Sequence, residues 1–287
     1  MTVAFVLSGG ANFGSLQVGA LQVLFERGIR PDLLVGSSAG AMNAMFLAMD
    51  PTLASLHRLA QHWRTAALEP MSRRDDLAIV WRLLTGRDSL LPNEPLLRYL
   101  ERALPSDVAR FGDLRLPTYA LAVRLDTGEM RCFGDDPRDR IIDGLMATTA
   151  VPGLYPPWAC GGARYVDGGV VSFLPVQAAV ERGATEIYAL SISPPSARSD
   201  GLRGTLAIGL RAIDLLIQDQ GAREVQFYQA RGGVTVHPIR LSSERPVAFW
   251  DFRQADYLMA AGRSCAEAYL ESATARDVGA DLAPAQH

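Results

Sequence analysis

The sequence contains no lysine: all 28 of its basic residues are arginine, a bias that reflects genome composition and supports no functional inference. Charge of either sign is not in excess, since 31 acidic residues leave a net charge of −3 and a pI near 5.8, and no long basic run occurs. Bulk attraction to nucleic acid is thereby excluded. Cysteine is scarce. Cys132, Cys160 and Cys265 are odd in number, scattered and without metal-ligand spacing, which argues against a disulfide framework or a cysteine-held metal and fits a reducing, cytoplasmic compartment. Long hydrophobic runs are missing too: residues 3–7 are apolar but lack a charged leader and are too short for a signal or membrane helix, and no other stretch spans a bilayer. Only four histidines occur, His57, His62, His237 and His287, and none sits in a motif that marks a base or ligand. His57 and His62, five apart, read as surface or packing residues.

What is present is apolar residue in quantity, 48% of 287 positions, enough to bury one large core or two modest ones. The chain is organised around Leu34-Val35-Gly36-Ser37-Ser38-Ala39-Gly40, where an apolar run meets two glycines that bracket a serine and helix-forming residues follow. This predicts a strand, a tight turn and a helix with Ser38 at the apex. Gly36 and Gly40 would let the flanking backbones approach closely enough to expose the serine hydroxyl, and the helix N-terminus would favour negative charge there. Ser38 is then either a nucleophile or simply the N-cap of the helix from Ala39.

Residues 3–7 predict a buried parallel strand that ends in Ser8-Gly9-Gly10, and a helix begins at Gly14 and stops at Gly28. A second strand over 32–35 completes a β-α-β unit, which implies a parallel sheet covered on both faces. The loop from Ser8 to Gly14 lacks the Gly-x-Gly-x-x-Gly spacing of a dinucleotide cradle. Its amides either face Ser38 as an oxyanion hole or only pack the helix. Residues 41–104 read as mostly helical, with a solvated Arg73-Arg74-Asp75-Asp76 cluster. A hairpin is expected over 117–133, a helix over 138–150, a proline-stiffened loop over 151–158, and a short strand over 164–166 that runs into Asp167-Gly168-Gly169. A carboxylate at a strand end before two glycines suits catalysis better than a surface turn. Downstream come a strand over 187–192, a linker over 194–200, and a helix over 205–230 whose stripe of Leu206, Leu210, Ile213, Leu216 and Ile217 reads as core. A strand over 234–239, at the sheet edge, and a final helix over 252–274 follow, with a frayed tail from 276.

Three signals in one order, the glycine loop, Gly36-x-Ser38-x-Gly40 and Asp167-Gly168-Gly169, make the chain resemble the patatin-like phospholipases. The segments Ala147-Thr148-Thr149-Ala150-Val151-Pro152-Gly153-Leu154-Tyr155-Pro156-Pro157 and 170–176 extend the likeness, which covers roughly residues 3–195. The resemblance implies an α/β fold, a three-layer α/β/α sandwich with a central, mostly parallel sheet. It also implies a Ser-Asp dyad that hydrolyses lipid acyl esters through an acyl-enzyme. Ser38 and Asp167 fall at the dyad positions, the amides of Gly9, Gly10 and Ala11 at the oxyanion hole, and Gly14, Gly36, Gly40, Gly168 and Gly169 at motif glycines. Asp167 would take the serine proton directly, which accounts for the absence of a motif histidine. No metal or organic cofactor is implied. A lipid or acyl ester is the expected substrate, with a transient contact at a membrane surface and no nucleic acid; the oligomeric state is open. Residues 1–195 read as the hydrolase core and 196–287 as a helix-strand-helix extension packed on the same domain.

The chain departs from the family where Ala11 replaces a third glycine and Phe13 a basic residue. Weakened activity is expected, and arginine at position 13 would restore positive charge at the site mouth. Ser172-Phe173 stands where asparagine is common in relatives. An acyl-chain-binding pseudoenzyme, or a structural β-α-β protein with a capping serine, are the alternatives, and neither needs Asp167.

Overall fold

The computed structural model describes residues 1–69, 81–82, 84–193 and 205–281; the charge cluster 73–76 and linker 194–200 expected above lie outside them. Strand β1 (Val3–Leu7) turns Phe5 and Leu7 into one core and Ala4 and Val6 into another. Burial on both faces is why its sequence shows no polar alternation. A 3-10 turn, Ala11–Phe13, and helix α1 (Gly14–Glu26) carry the chain to β2 (Leu33–Ser37), which pairs with β1 in parallel from Ala4–Leu33 to Leu7–Gly36.

The remaining strands are β3 (Thr118–Arg124), β4 (Met130–Phe133), β5 (Trp158–Cys160), β6 (Ala163–Asp167), β7 (Glu186–Ile192) and β8 (Thr235–Leu241). Among the described residues they form one sheet in the order β5-β6-β3-β2-β1-β7-β8, with β4 beside β3. The run β3-β2-β1-β7-β8 is parallel, and β4, β5 and β6 are antiparallel additions. Pro238, which has no amide to donate, is tolerated because β8 is an edge strand.

Helices cover both faces. One face packs against α1, α2 (Ala39–Met49), α3 (Leu53–Ala66), α4 (Glu94–Ala103), α5 (Ile141–Thr148) and α8 (Ala255–Asp281). The other packs against α6 (Val176–Glu181) and α7 (Thr205–Arg231) through Val176, Ala179, Val225 and Tyr228. The architecture is the three-layer α/β/α sandwich expected above.

Several expectations change. The loop over 151–158 gives way at Trp158 to β5, which forms a hairpin with β6 across Gly161 and Gly162, at φ +56° and +76°. Consecutive positive-φ residues are what a two-residue hairpin turn requires. The α7 stripe is not core where it is described: Leu216 is 70% exposed, because the helix docks through Gly221, Val225 and Tyr228 nearer its C-terminus. The last helix starts after a 3-10 turn, Phe252–Gln254, and continues to Asp281, past the residues expected to fray.

Helix α8 lies directly on α1. A methyl at Gly19 would collide with the Met259 carbonyl and one at Gly262 with the Leu16 carbonyl, so the helices touch backbone to backbone. Arg263 clamps the crossing with a bidentate pair to Glu26 at 2.7 Å. G262A should therefore force α8 away and lower the unfolding free energy by about 1–3 kcal/mol or more, the usual cost of overpacking. Urea denaturation reads this as a lowered midpoint at constant slope; a midpoint equal to the parent's would contradict the crossing.

Candidate active site

Strand β2 ends at Ser37, and Ser38 takes φ +53°, ψ −124° before α2 begins. A non-glycine residue at positive φ carries strain of about 1–2 kcal/mol, which neighbouring structure must impose. The neighbours are glycines that admit no side chain. A methyl at Gly36 would lie 2.5 Å from the Ala41 amide nitrogen, and one at Gly40 would strike the Leu7 and Ser8 backbone. The Ser38 side chain makes no capping bond to α2; its amide donates to Thr148 Oγ1 at 2.9 Å, and its carbonyl accepts the Met42 amide at 3.2 Å.

Asp167 arrives from the antiparallel side of the sheet. Ser37 is level with Leu121 on β3, and Asp167 is level with Ala122, so one further residue along β2 brings Ser38 onto the row of Asp167. The carboxylate is buried, and its Oδ1 accepts the Gly169 amide at 2.8 Å and the Ser37 hydroxyl at 3.3 Å. Burial pushes the Asp167 carboxyl up to about 6, while the Gly169 amide, the nearby Ser38 hydroxyl and the Ser37 hydroxyl pull the other way. Such a carboxylate is ionised at neutral pH yet basic enough to accept a proton from a neighbouring hydroxyl. Gly168 is required for contact, since a methyl there would lie 2.5 Å from the Leu121 carbonyl oxygen.

The glycine loop faces this pair: a methyl at Gly9 would lie 3.2 Å from Ser38 Cβ. The Gly9 amide donates to the Phe173 carbonyl at 3.4 Å, whereas no recorded bond among the described residues takes the amides of Gly10 or Ala11. Gly10 sits at φ +154° and Ala11 at φ +49°, so alanine occupies a left-handed position that a glycine would hold without strain. Gly14 opens α1 against the Trp63 ring and Ala39. Phe13 is buried in the main core, 5% exposed, so the expectation that Phe13→Arg would add charge at the site mouth is corrected: the guanidinium would enter the core instead.

His62 and His237 are elsewhere. His62 packs on Phe46 and meets the Tyr99 hydroxyl, and His237 stacks on Tyr188 between Glu186 and Tyr269. Among the described residues no three His, Cys, Asp or Glu side chains gather closely enough to hold a metal, and no helix is long and apolar enough to cross a membrane. Sequence reasoning missed Ser37 and Thr148, which touch the pair directly, and Phe173, whose ring lies over Gly9 and Gly169. Ser37 and Thr148 stood inside quoted motif segments, but nothing in those segments tells which hydroxyl reaches which partner.

A family model described as patatin-like phospholipase matches residues 5–180. Patatin-like phospholipase domain-containing protein 7 of Mus musculus is 28% identical over 66% of this chain, and lysophospholipase NTE1 of Mycosarcoma maydis 26% identical over 71%. The chain spans only 13% and 10% of those proteins. YqhO of Bacillus subtilis, an uncharacterised protein, is 26% identical, with 68% of this chain and 72% of that protein covered. Among solved structures VipD of Legionella pneumophila superposes with a TM-score of 0.53 at 14% identity, over 94% of this chain and 67% of VipD, a likeness of fold alone.

The raised Asp167 pKa has a consequence for stability. Folding favours the neutral carboxyl, so its contribution is fully present below pH 3.8 and is lost as pH rises through about 6. D167N, which is neutral at every pH, should gain on the parent across that window, by on the order of 2 kcal/mol at pH 8. Denaturant unfolding at pH 4.5 and pH 8 measures the gap; a gap of the same size at both values would mean that Asp167 is not held near 6.

Proposed function

The chain belongs to the patatin-like phospholipase family, and from that premise we propose that it is a lipid acyl hydrolase working through Ser38 and Asp167. The observation that carries the reading is the serine held at positive φ with no capping bond, its hydroxyl next to a buried carboxylate that burial pushes up to about 6. Asp167 accepts the Ser38 proton as Oγ attacks the acyl carbonyl. The oxyanion that forms is met by the amides of Gly10 and Ala11, and the Gly9 amide joins them if Phe173 yields its bond. Collapse of the intermediate expels the alcohol, which takes the proton from Asp167 and leaves an ester on Ser38. Water then attacks that ester with Asp167 again as base, releasing the fatty acid and restoring the hydroxyl. No step draws on a metal or organic cofactor.

Residues 1–195 serve as the hydrolase core, and 196–287 as an extension on the same domain, a division supported by β8 pairing with β7 and α8 lying on α1. A transient contact with a membrane surface fits Phe249 and Trp250, each 44% exposed and packed edge to face; Asn12 of the glycine loop holds the carbonyls on either side of them. A cytoplasmic location fits the three free thiols. Two observations favour a second reading, an acyl-chain binder without turnover: the Gly9 amide is engaged and Ala11 is strained.

A fluorophosphonate should add once, at Ser38, and S38A should not label. Hydrolysis of short and long acyl esters should fall at least about 10³-fold in S38A and D167N. The parent's kcat/KM should rise with pH through about 6 and level off above it, because the free enzyme needs Asp167 ionised. Labelling that survives S38A would put the nucleophile elsewhere. A parent as inert as D167N on every ester, yet tight for fatty acid, would establish the second reading.

A further inference from the structure

Ala11 is the one residue of the glycine loop whose backbone conformation its own side chain opposes, at φ +49°. Such a residue stays there only where its surroundings leave no alternative. The surroundings include a chain of buried amides beneath the loop. Asn43 of α2 donates through Nδ2 to the Gly14 carbonyl at 2.9 Å and to Gln17 Oε1 at 2.9 Å. Gln17 of α1 donates through Nε2 to the Ser8 carbonyl at 2.9 Å. The Trp63 indole of α3 donates to Asn43 Oδ1 at 2.8 Å, which orients the amide so that its Nδ2 meets the Gly14 carbonyl and Gln17 Oε1. Asn43 and Gln17 are fully buried, and every polar atom of their side chains is used. The chain thus grips the loop at both ends, Ser8 and Gly14, from the helix that begins next to Ser38.

None of these bonds is needed to cover the sheet, and none touches Ser38 or Asp167. They tie the ends of a seven-residue loop to the nucleophile's own helix, and within those ends the Phe13 amide donates to the Gly10 carbonyl at 3.0 Å, closing the turn in which Ala11 takes its left-handed conformation. We propose that Asn43 is a positioning residue which, through Gln17 and the Gly14 carbonyl, holds Ala11 at positive φ and so aims the Gly10 and Ala11 amides at Ser38. The proposal rests on the hydrolase reading for what the amides do, but the conformation it assigns to Asn43 can be measured without turnover.

If Asn43 acts by enforcing a conformation that alanine resists, a glycine at position 11 should make Asn43 less necessary. N43A should lower kcat by about 10–100-fold with KM within about twofold, short of the 10²–10³ lost with a whole oxyanion donor. Introduced into A11G and compared with A11G alone, the same substitution should lower kcat at least about fivefold less. A residue that merely stabilises the fold would cost the same in both backgrounds, and that result, or a rise in KM with kcat unchanged, overturns the proposal. W63F removes the donor that orients Asn43 together with the indole carbons that lie against Gly14; it should show a smaller loss with the same dependence on residue 11, and it serves where N43A does not fold. S38A run in parallel tells whether the turnover is this site's. If the parent is inert, the hydrolase reading fails on its own, and crystal structures of N43A, or of W63F in its place, and of N43A in the A11G background still decide. Residue 11 should leave positive φ in the first and keep it in the second; an Ala11 unmoved in the first refutes the role of Asn43.

Discussion

A carboxylate buried without a cation is the constraint on which the rest of this structure depends. Among the described residues Asp167 is offset by neutral groups, the Gly169 amide and the Ser37 hydroxyl, with the Ser38 hydroxyl nearby. Neutral donors do not fully replace water around a carboxylate, so the group sits higher than a surface aspartate. In the proposed mechanism that residual instability would make it a usable base at neutral pH, whereas an arginine nearby would stabilise its charge and weaken it as an acceptor. The same requirement explains the company it keeps. Small residues, Gly168 and Gly169 on one side and Ser37 on the other, let backbone and hydroxyl groups close around the carboxylate while excluding water.

Close backbone approach recurs as the means by which the site is built. Gly36 and Gly40 bring β2 and α2 against the end of β1, Gly14 lets α1 start against Trp63 and Ala39, and Gly19 with Gly262 seats α8 on α1. Each removes the volume of one side chain so that a main-chain segment can pass. The result is a rigid frame around a serine that is itself in an unfavourable conformation. The C-terminal helix is part of that frame, because α1, which it braces, carries the glycine loop at its N-terminus.

Much of this was legible in the sequence because the relevant signals are local. The run over 3–7, the glycines around Ser38 and the acid-glycine-glycine ending of β6 each specify a strand and its turn with no help from distant residues, and the patatin-like fold follows from their order. What was not legible depends on pairing or on docking. Strand β5 is three residues long and exists only because Gly161 and Gly162 fold it onto β6. The α7 stripe repeats at helical spacing, yet Leu216 is exposed, since periodicity does not say which turns of a helix have a partner. The roles of Thr148 and Phe173 at the site are long-range facts, fixed by segments more than a hundred residues from Ser38 and Gly9.

Phe13 and Ala11 show how two departures in one loop differ in kind. A basic residue in a family motif invites the idea that its replacement leaves a hole in the site's charge, to be refilled. Here the replacement faces inward: Phe13 belongs to the core that α1, α3 and the sheet share, so the loop's anchorage has become apolar and the site mouth has no charge contributed from that position. Ala11 remains at the site, and its methyl changes nothing about the donor its amide offers. It changes only how firmly that amide must be held. A loop fastened by the buried side chains of Phe13, Asn12, Gln17 and Asn43 can carry an alanine where flexible loops need glycine, and the proposed oxyanion hole asks of that residue only its backbone amide.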